Sequence, residues 1–298
     1  MTAPKSILSS KPSSRFRVGL CQMTTGPDVA ANLEVASKLV REAVAAGANY
    51  VQTPEITTLM ETDRAKLFVA TWPEEGNPAI AHFRSLAREL KIWLHVGSMG
   101  VAIAPEKIAN RALLISPEGV VTARYDKIHM FDVDLPNGEK YRESRNFAPG
   151  ATAVLADLPW GKLGLTICYD MRFPGLYRAL AHAGATMIAV PAAFTVPTGK
   201  AHWHTLLRAR AIETQCFVFA AAQAGTHANG RQTYGHSLVI SPWGEILAEA
   251  DGVHPTVITA DIDMALVDEA RSRVPSLTHD RTFTVVQANS HKDIKVAS

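Results

Sequence analysis

The chain has 298 residues, of which 47% are hydrophobic, and that is enough material for one large domain or two ordinary ones with an ample core. A formal net charge of +2, with no run of like charges, gives no electrostatic footprint for nucleic acid or an anionic membrane, so the expected partner is a small molecule. Three cysteines without CxxC spacing argue against a disulfide framework or a zinc site and fit a reducing, cytoplasmic compartment, and no apolar run approaches the roughly 20 residues that span a bilayer.

Residues 1–15 are rich in Ser, Pro and Lys with no acidic residue. They read as a disordered leader, with a mitochondrial transit peptide as the alternative to a frayed terminus. From Phe16 the chain alternates between strand and helix periodicities. Arg17 to Met23 is strand-like, Leu33, Ala36, Val40 and Val44 form one apolar helical stripe, and Gly47 stops that helix. Tyr50 to Thr53 is a second strand closed by Pro54-Glu55; Ile80, Phe83, Ala87 and Leu90 mark another amphipathic helix before a strand from Trp93 to Val101. Arg111 to Ser116 and Val120 to Tyr125 flank the hairpin signal Pro117-Glu118-Gly119, which makes the sheet mixed rather than purely parallel.

After Lys127 an irregular stretch runs to Pro149-Gly150, too long for an ordinary connection and therefore a candidate functional loop. Strand, helix and strand return as Leu163 to Ile167, Leu176 to Ala183 and Met187 to Val190. A helix from Ala201 to Thr214 follows, then strands at Cys216 to Ala222 and His236 to Ser241 around the turn Asn229-Gly230, and a last strand from Thr256 to Asp261. Residues 16–281 show no linker and no short-period repeat, and are read as one domain with a tail at 282–298. So many strands exceed one covered sheet. Two sheets packed face to face with helices outside are expected.

Three polar residues stand just past apolar strands, where packing gives no reason for them: Glu55, Lys127 and Cys168. A thiol at a strand exit can be presented to a ligand in the crevice that α/β folds form there. A carboxylate can take its proton, and a lysine can favour the thiolate and stabilise an oxyanion. The residues alone leave the bland readings open: Cys168 as a small core hydrophobe, Glu55 as a helix cap, Lys127 as a loop charge. Cys21 and Cys216 lie in apolar strands and read as inert packing. His202 and His204, at i and i+2 of a helix, face apart and make no metal pair.

Thr53-Pro54-Glu55, Tyr125-Asp126-Lys127-Ile128-His129-Met130-Phe131-Asp132 and Cys168-Tyr169-Asp170-Met171-Arg172-Phe173-Pro174 together resemble the signatures of the nitrilase (carbon–nitrogen hydrolase) superfamily, in that family's order. The resemblance extends through Ala201-His202-Trp203, Leu207 to Cys216, Tyr234-Gly235-His236-Ser237 and Pro242-Trp243-Gly244, where it is nearest the deaminated glutathione amidase and ω-amidase branches. It implies an α/β fold, an αββα four-layer sandwich assembled into a homodimer or larger homo-oligomer, with no cofactor and no metal. It assigns Glu55 as general base, Lys127 as partner of the tetrahedral intermediate, Cys168 as nucleophile and Glu143 as an auxiliary glutamate.

The implied reaction is attack of the Cys168 thiolate on the carbonyl of a small carboxylate-bearing ω-amide, with the oxyanion held by Lys127 and the Tyr169 N–H. Ammonia leaves, and water activated by Glu55 hydrolyses the thioester. Arg172 is implied to receive the substrate carboxylate, against the alternative of an ion pair with Asp170 or another acid. Phe131, Phe194 and Thr198 match pocket positions, and His129 a hydrogen-bonding one. Gly175 departs from the glutamate that commonly follows Phe-Pro in the family and leaves substrate choice open. A nitrilase or N-carbamoyl amidase using the same groups, and a non-catalytic binding protein of the same fold, are the competing readings.

Overall fold

The computed structural model describes residues 14–135, 138–286 and 293–294; residues 1–13 of the expected leader and much of the tail lie outside the described residues. The first half of the chain runs β1 (Arg15–Gln22), α1 (Val29–Ala45), β2 (Tyr50–Gln52), α2 (Arg64–Ala70), α3 (Pro78–Leu90), β3 (Trp93–Ala104), β4 (Lys107–Ile115) and β5 (Val121–Asp126). A hairpin of β6 (Asp132–Asp134) and β7 (Lys140–Arg142) and the short β8 (Phe147–Ala148) fill the long connection. The second half runs β9 (Val154–Leu158), β10 (Gly161–Leu165), α4 (Pro174–His182), β11 (Met187–Ala189), α5 (Val196–Thr214) and β12 (Phe217–Ala220). It continues through β13 (Ala224–Thr226), β14 (Gln232–Tyr234), β15 (Leu238–Ile240), β16 (Ile246–Glu249), β17 (Thr256–Asp263) and α6 (Ala265–Arg273).

The strands form two main sheets, in the orders β17-β1-β2-β3-β4-β5 and β16-β15-β12-β11-β10-β9. In each, three adjacent strands are parallel, β1-β2-β3 in one and β10-β11-β12 in the other, and antiparallel strands extend both sides. Both sheets are mixed, and both follow one plan. Period-two alternation explains the layering. Along β1, Phe16, Val18 and Leu20 enter a core shared with Leu163, Leu165, Phe217 and Phe219 of the other sheet, while Cys21 and Met23 face Ala36, Val40 and Ala43 of α1 and Phe83 of α3. Tyr177, Leu180, Trp203 and Leu207 bring α4 and α5 onto the outer face of the second sheet. The result is the four-layer αββα sandwich.

Local signals set the helix ends. Asp28 caps α1 by accepting a hydrogen bond from the Ala31 N–H at 2.9 Å, and Asn77 caps α3 ahead of Pro78. Gly47, at φ +90°, follows the end of α1 in the left-handed region that favours glycine. Several boundaries differ from the sequence reading. α5 begins at Val196, not Ala201, because Pro197 is tolerated in a first turn and because Gly199 leaves room for Tyr234, whose ring atoms stand 2.1 Å from where a Cβ would be. Helices α2 and α6, strand β9 and the β6–β7 and β13–β14 hairpins are additions; each is short or lacks a clean apolar stripe. Cys216 precedes β12 rather than lying within it, buried with its thiol directed at the Ala185 carbonyl at 3.1 Å.

Candidate active site

Cys168 sits where β10 leaves the second sheet. Its N–H donates to the Pro191 carbonyl at 2.9 Å, which ties it to the chain leaving the neighbouring strand β11. The turn after it is braced by buried Asp170, whose carboxylate accepts hydrogen bonds from the Ile167 N–H at 2.8 Å, the Tyr125 hydroxyl at 2.7 Å and the His129 N–H at 3.0 Å. Held this way, Cys168 adopts φ +50°, a left-handed conformation that costs a non-glycine residue energy and that packing must impose. It opens a short 3-10 turn, so the Tyr169 N–H has no intrahelical acceptor and is available to an oxyanion.

Glu55 leaves the end of β2 in the facing sheet and is brought over the same spot by a bulge in β3. The Ser98 N–H donates to the Pro54 carbonyl at 3.2 Å, the Gly97 N–H to Thr53 Oγ1 at 3.1 Å, and Ser98 Oγ accepts from the Ile56 N–H at 2.9 Å. Lys127 follows β5 and Glu143 follows β7. The Lys127 Nζ donates to Glu55 Oε1 at 2.9 Å and to Glu143 Oε2 at 2.8 Å, with all three side chains largely buried. Asn110, in β4, bridges the two carboxylates, its Nδ2 lying 3.0 Å from Glu55 Oε1 and 3.2 Å from Glu143 Oε1. The Ala193 N–H holds the other Glu55 oxygen at 2.9 Å, and the Phe131 N–H holds Glu143 Oε2 at 2.7 Å.

The electrostatics follow from burial and pairing. Burial by itself pushes the Glu55 carboxyl up, but the charge and hydrogen bond of Lys127 outweigh it and keep the group below its ordinary value of 4.5. Burial likewise acts against the Lys127 ammonium, and the charges of Glu143 and Glu55 reverse it, so Lys127 stays protonated. The Cys168 thiol is pushed well above its usual range, first by burial and then by the Glu55 charge, against a smaller opposing pull from Lys127. At neutral pH the free site therefore holds a thiol beside an ionised base. As the sequence leads one to expect of the carboxylate, the proton leaves Cys168 for Glu55 as attack begins, because a bare thiolate in this buried place beside Glu55 is disfavoured.

These groups open into a cavity of about 470 Å³ whose lining includes Glu55, Lys127, Glu143, Cys168, Tyr169, Phe131, Phe194 and Thr198. Ile56, Leu59, Met60 and Phe147 give it apolar walls, and Lys140, Arg142, Arg145 and Arg231 give it basic ones. Arg172 and His129 are not among the lining residues. The Arg172 guanidinium lies against two of the lining side chains, its Cζ 5.8 Å from the Tyr169 ring and 5.4 Å from the Phe194 ring, with Nη1 3.3 Å from His202 Nδ1. Its alternative partner, Asp170, is occupied by His129, whose ring also stacks on Phe173 with centroids 3.5 Å apart. Gly175 is exposed on the first turn of α4, outside the lining, with open space where a Cβ would go.

Sequence reasoning missed Asn110 and Arg231. A buried-strand run, Ile108 to Ile115, whose polar members are Asn110 and Arg111 was the available signal for the first; the second, just after a turn, resembles any hairpin charge. As for metal ligands, His204, His236 and Glu249 are the group of three among the described residues whose ligand atoms lie within 4.8 Å of one another. They are hydrogen-bonded to each other, both imidazoles reaching Glu249 Oε1 at 2.9 and 2.8 Å, and lie outside the catalytic cavity. His202 points instead at Arg172, so the two helix histidines do face apart. Among the described residues no helix is long and apolar enough to cross a membrane.

Comparison with known proteins gives the family. Residues 17–272 match the carbon-nitrogen hydrolase family model. The chain is 40% identical over 270 residues to the deaminated glutathione amidase of Yersinia enterocolitica, covering 89% of this chain and 92% of that protein. The crystal structure of the C. elegans NitFhit protein superposes with a TM-score of 0.83 at 34% identity, covering 94% of this chain and 71% of that one. Saccharomyces cerevisiae Nit3, a member of branch 10 of the nitrilase superfamily, superposes with a TM-score of 0.80 at 30% identity, covering 90% and 97%. The family-model match and the 40% identity over nearly the whole chain place the protein in the carbon-nitrogen hydrolase family of the nitrilase superfamily, as an amidase acting on C–N bonds.

Proposed function

We propose that the chain hydrolyses small ω-amides that carry a carboxylate, with deaminated glutathione as the leading substrate and α-ketoglutaramate next. The observation that carries this is the meeting of ionised Glu55, charged Lys127 and strained Cys168 in one buried corner of a basic-walled cavity. The name of the Yersinia relative favours the first substrate. As the substrate carbonyl approaches, the thiol proton passes to Glu55 and the sulfur bonds to the carbonyl carbon. Lys127 and the Tyr169 N–H take up the oxyanion's charge. On collapse the C–N bond breaks and Glu55 returns the proton to the departing nitrogen, leaving a thioester. Glu55 then deprotonates water, which attacks the thioester and releases the acid and the thiol.

The leaving group depends on the amide. A primary amide such as α-ketoglutaramate releases ammonia, whereas in deaminated glutathione the scissile nitrogen belongs to the remaining dipeptide, which leaves as an amine. The expectation of ammonia therefore holds for primary amides such as α-ketoglutaramate only. The test is a panel of amides, nitriles and N-carbamoyl compounds read by ammonia and by free amine, with Cys168→Ala as control. The expected outcome is turnover of both carboxylate-bearing amides, with loss of at least about four orders of magnitude in the variant, comparable to removal of other catalytic nucleophiles. Turnover of nitriles alone would sink the proposal, and a Cys168→Ala protein as active as the parent would end the nucleophile assignment. Assembly into a homo-oligomer belongs to the same proposal. Sedimentation at micromolar concentration checks it, a monomer being the contrary result.

A further inference from the structure

We infer that Arg231 is an anion anchor for the leaving-group side of the substrate, so that the enzyme selects amides whose departing amine carries its own carboxylate. This rests on the amidase proposal above and adds a specificity residue to it. Arg231 lines the cavity, on the turn entering β14. It is held from several directions: its backbone N–H donates to Asn229 Oδ1 at 3.0 Å, its carbonyl accepts from the His227 N–H at 2.8 Å, and its Nη2 donates to the Ala193 carbonyl at 2.7 Å. The guanidinium carbon lies 5.4 Å from the centre of the Tyr141 ring.

So placed, the side chain spends Nη2 on the Ala193 carbonyl and also meets the Tyr141 hydroxyl, but one donor is left over. Its Nε is buried with no hydrogen-bond partner, and no salt bridge reaches the guanidinium among the described residues. A buried donor left unmade calls for an explanation, and a ligand oxygen supplies one. The Nε with its neighbour Nη2 is the side-on fork that grips carboxylates in this same molecule. Arg17 holds Asp261 through those two atoms at 2.7 and 2.8 Å, and Arg111 holds Asp126 through them at 2.6 and 2.8 Å.

The side of the substrate follows from Glu55. The proton that Glu55 takes from the thiol is returned to the departing nitrogen, so the amine lies on Glu55's side of the carbonyl. Arg231 is tied to that side through one residue, since Ala193 gives its N–H to Glu55 Oε2 and its carbonyl to Arg231. An anion held by Arg231 therefore belongs to the departing amine. Arg172 is not among the residues that line this cavity.

The experiment is steady-state kinetics of the full-length wild type, Arg231→Ala and Arg231→Lys on two probes: α-ketoglutaramate, which loses ammonia, and deaminated glutathione, whose departing amine bears a carboxylate. Loss of a charge-assisted fork should raise KM for the second probe by roughly 10- to 100-fold more than for the first, with Arg231→Lys recovering part of it. Equal losses on both probes would overturn the inference, because Arg231 would then act only through Ala193 and Glu55. Unchanged KM for the second probe would overturn it as well. A wild type that cleaves the primary amide but not the substituted one defeats this inference and leaves the amidase reading standing, whereas one that cleaves neither defeats both.

Discussion

Asn110 lies against two carboxylates and a lysine without carrying charge itself, and that neutrality matters. Its amide donates to Glu55 and Glu143 at once, helping to keep both against the single cation Lys127. Asn110→Asp keeps the shape but replaces a donor by a third negative group. A like charge disfavours ionised Glu55 and raises its pKa from the depressed position it holds beside Lys127. The ionised form is the one that takes the thiol proton, so the loss of activity on acidification should move upward. The acid limb of kcat/KM is expected below pH 4.5 in the parent and at higher pH in Asn110→Asp, with a lower plateau. Coincident limbs would show that Asn110 does not tune the base. Glu55, Lys127 and Cys168 were legible in the sequence because a polar group past an apolar strand has no packing role there. Asn110 was hidden by sitting inside a strand, where an amide reads as a satisfied core residue.

At the scale of elements, the site is made where strands end and a bulge lets one loop cross another. β3 shifts register between Val96 and Met99, and the chain there holds the Thr53 to Ile56 segment through the Gly97 and Ser98 N–H groups and the Ser98 hydroxyl. Gly97 is the residue that permits the approach. A Cβ at this position would stand 2.0 Å from the Thr53 carbonyl oxygen, 2.7 Å from the Pro54 oxygen and 2.5 Å from Pro191 Cβ. The first two belong to the segment that carries Glu55, and the Pro191 carbonyl accepts the Cys168 N–H. Gly97→Ala should therefore separate base and nucleophile while overpacking the site. The expected result is a loss of about 1–3 kcal/mol in urea unfolding together with a fall in kcat of at least about tenfold. Full activity in a destabilised protein would show that the bulge serves packing alone. Periodicity reveals a strand from Trp93 onward but not its bulge, since a register shift depends on what crosses the strand, and that partner is distant in sequence.

Across the whole molecule, the two sheets share one plan, and the catalytic groups are divided between them: Glu55, Lys127 and Glu143 come from the first half, Cys168 and the Ala193 N–H from the second. The alternation of strands and helices made two covered sheets legible; their common order was not, because equivalent strands repeat a pattern of burial without repeating residues. The seam between the sheets is not wholly apolar. Gln52, leaving β2, donates across it to the Phe219 carbonyl at 3.2 Å, and His95 of β3 lies fully buried beside it, its Nδ1 2.9 Å from the Tyr50 hydroxyl and its Nε2 without a partner. Burial pushes the His95 imidazole down to about 3 from its ordinary 6.5, so it is neutral when folded. Below pH 6.5 the unfolded chain binds a proton there that the folded chain refuses, so stability is complete above that pH and falls as pH drops from 6.5 toward 3. Between pH 7 and pH 5 this one group should remove about 2 kcal/mol from the unfolding free energy. Urea titrations of the wild type and His95→Gln at both pH values isolate it, because every other titrating group is common to the two proteins. The wild type should lose about 2 kcal/mol more than the variant on acidification. Equal losses would mean that His95 takes up its proton inside the fold, and that the seam between the sheets admits charge.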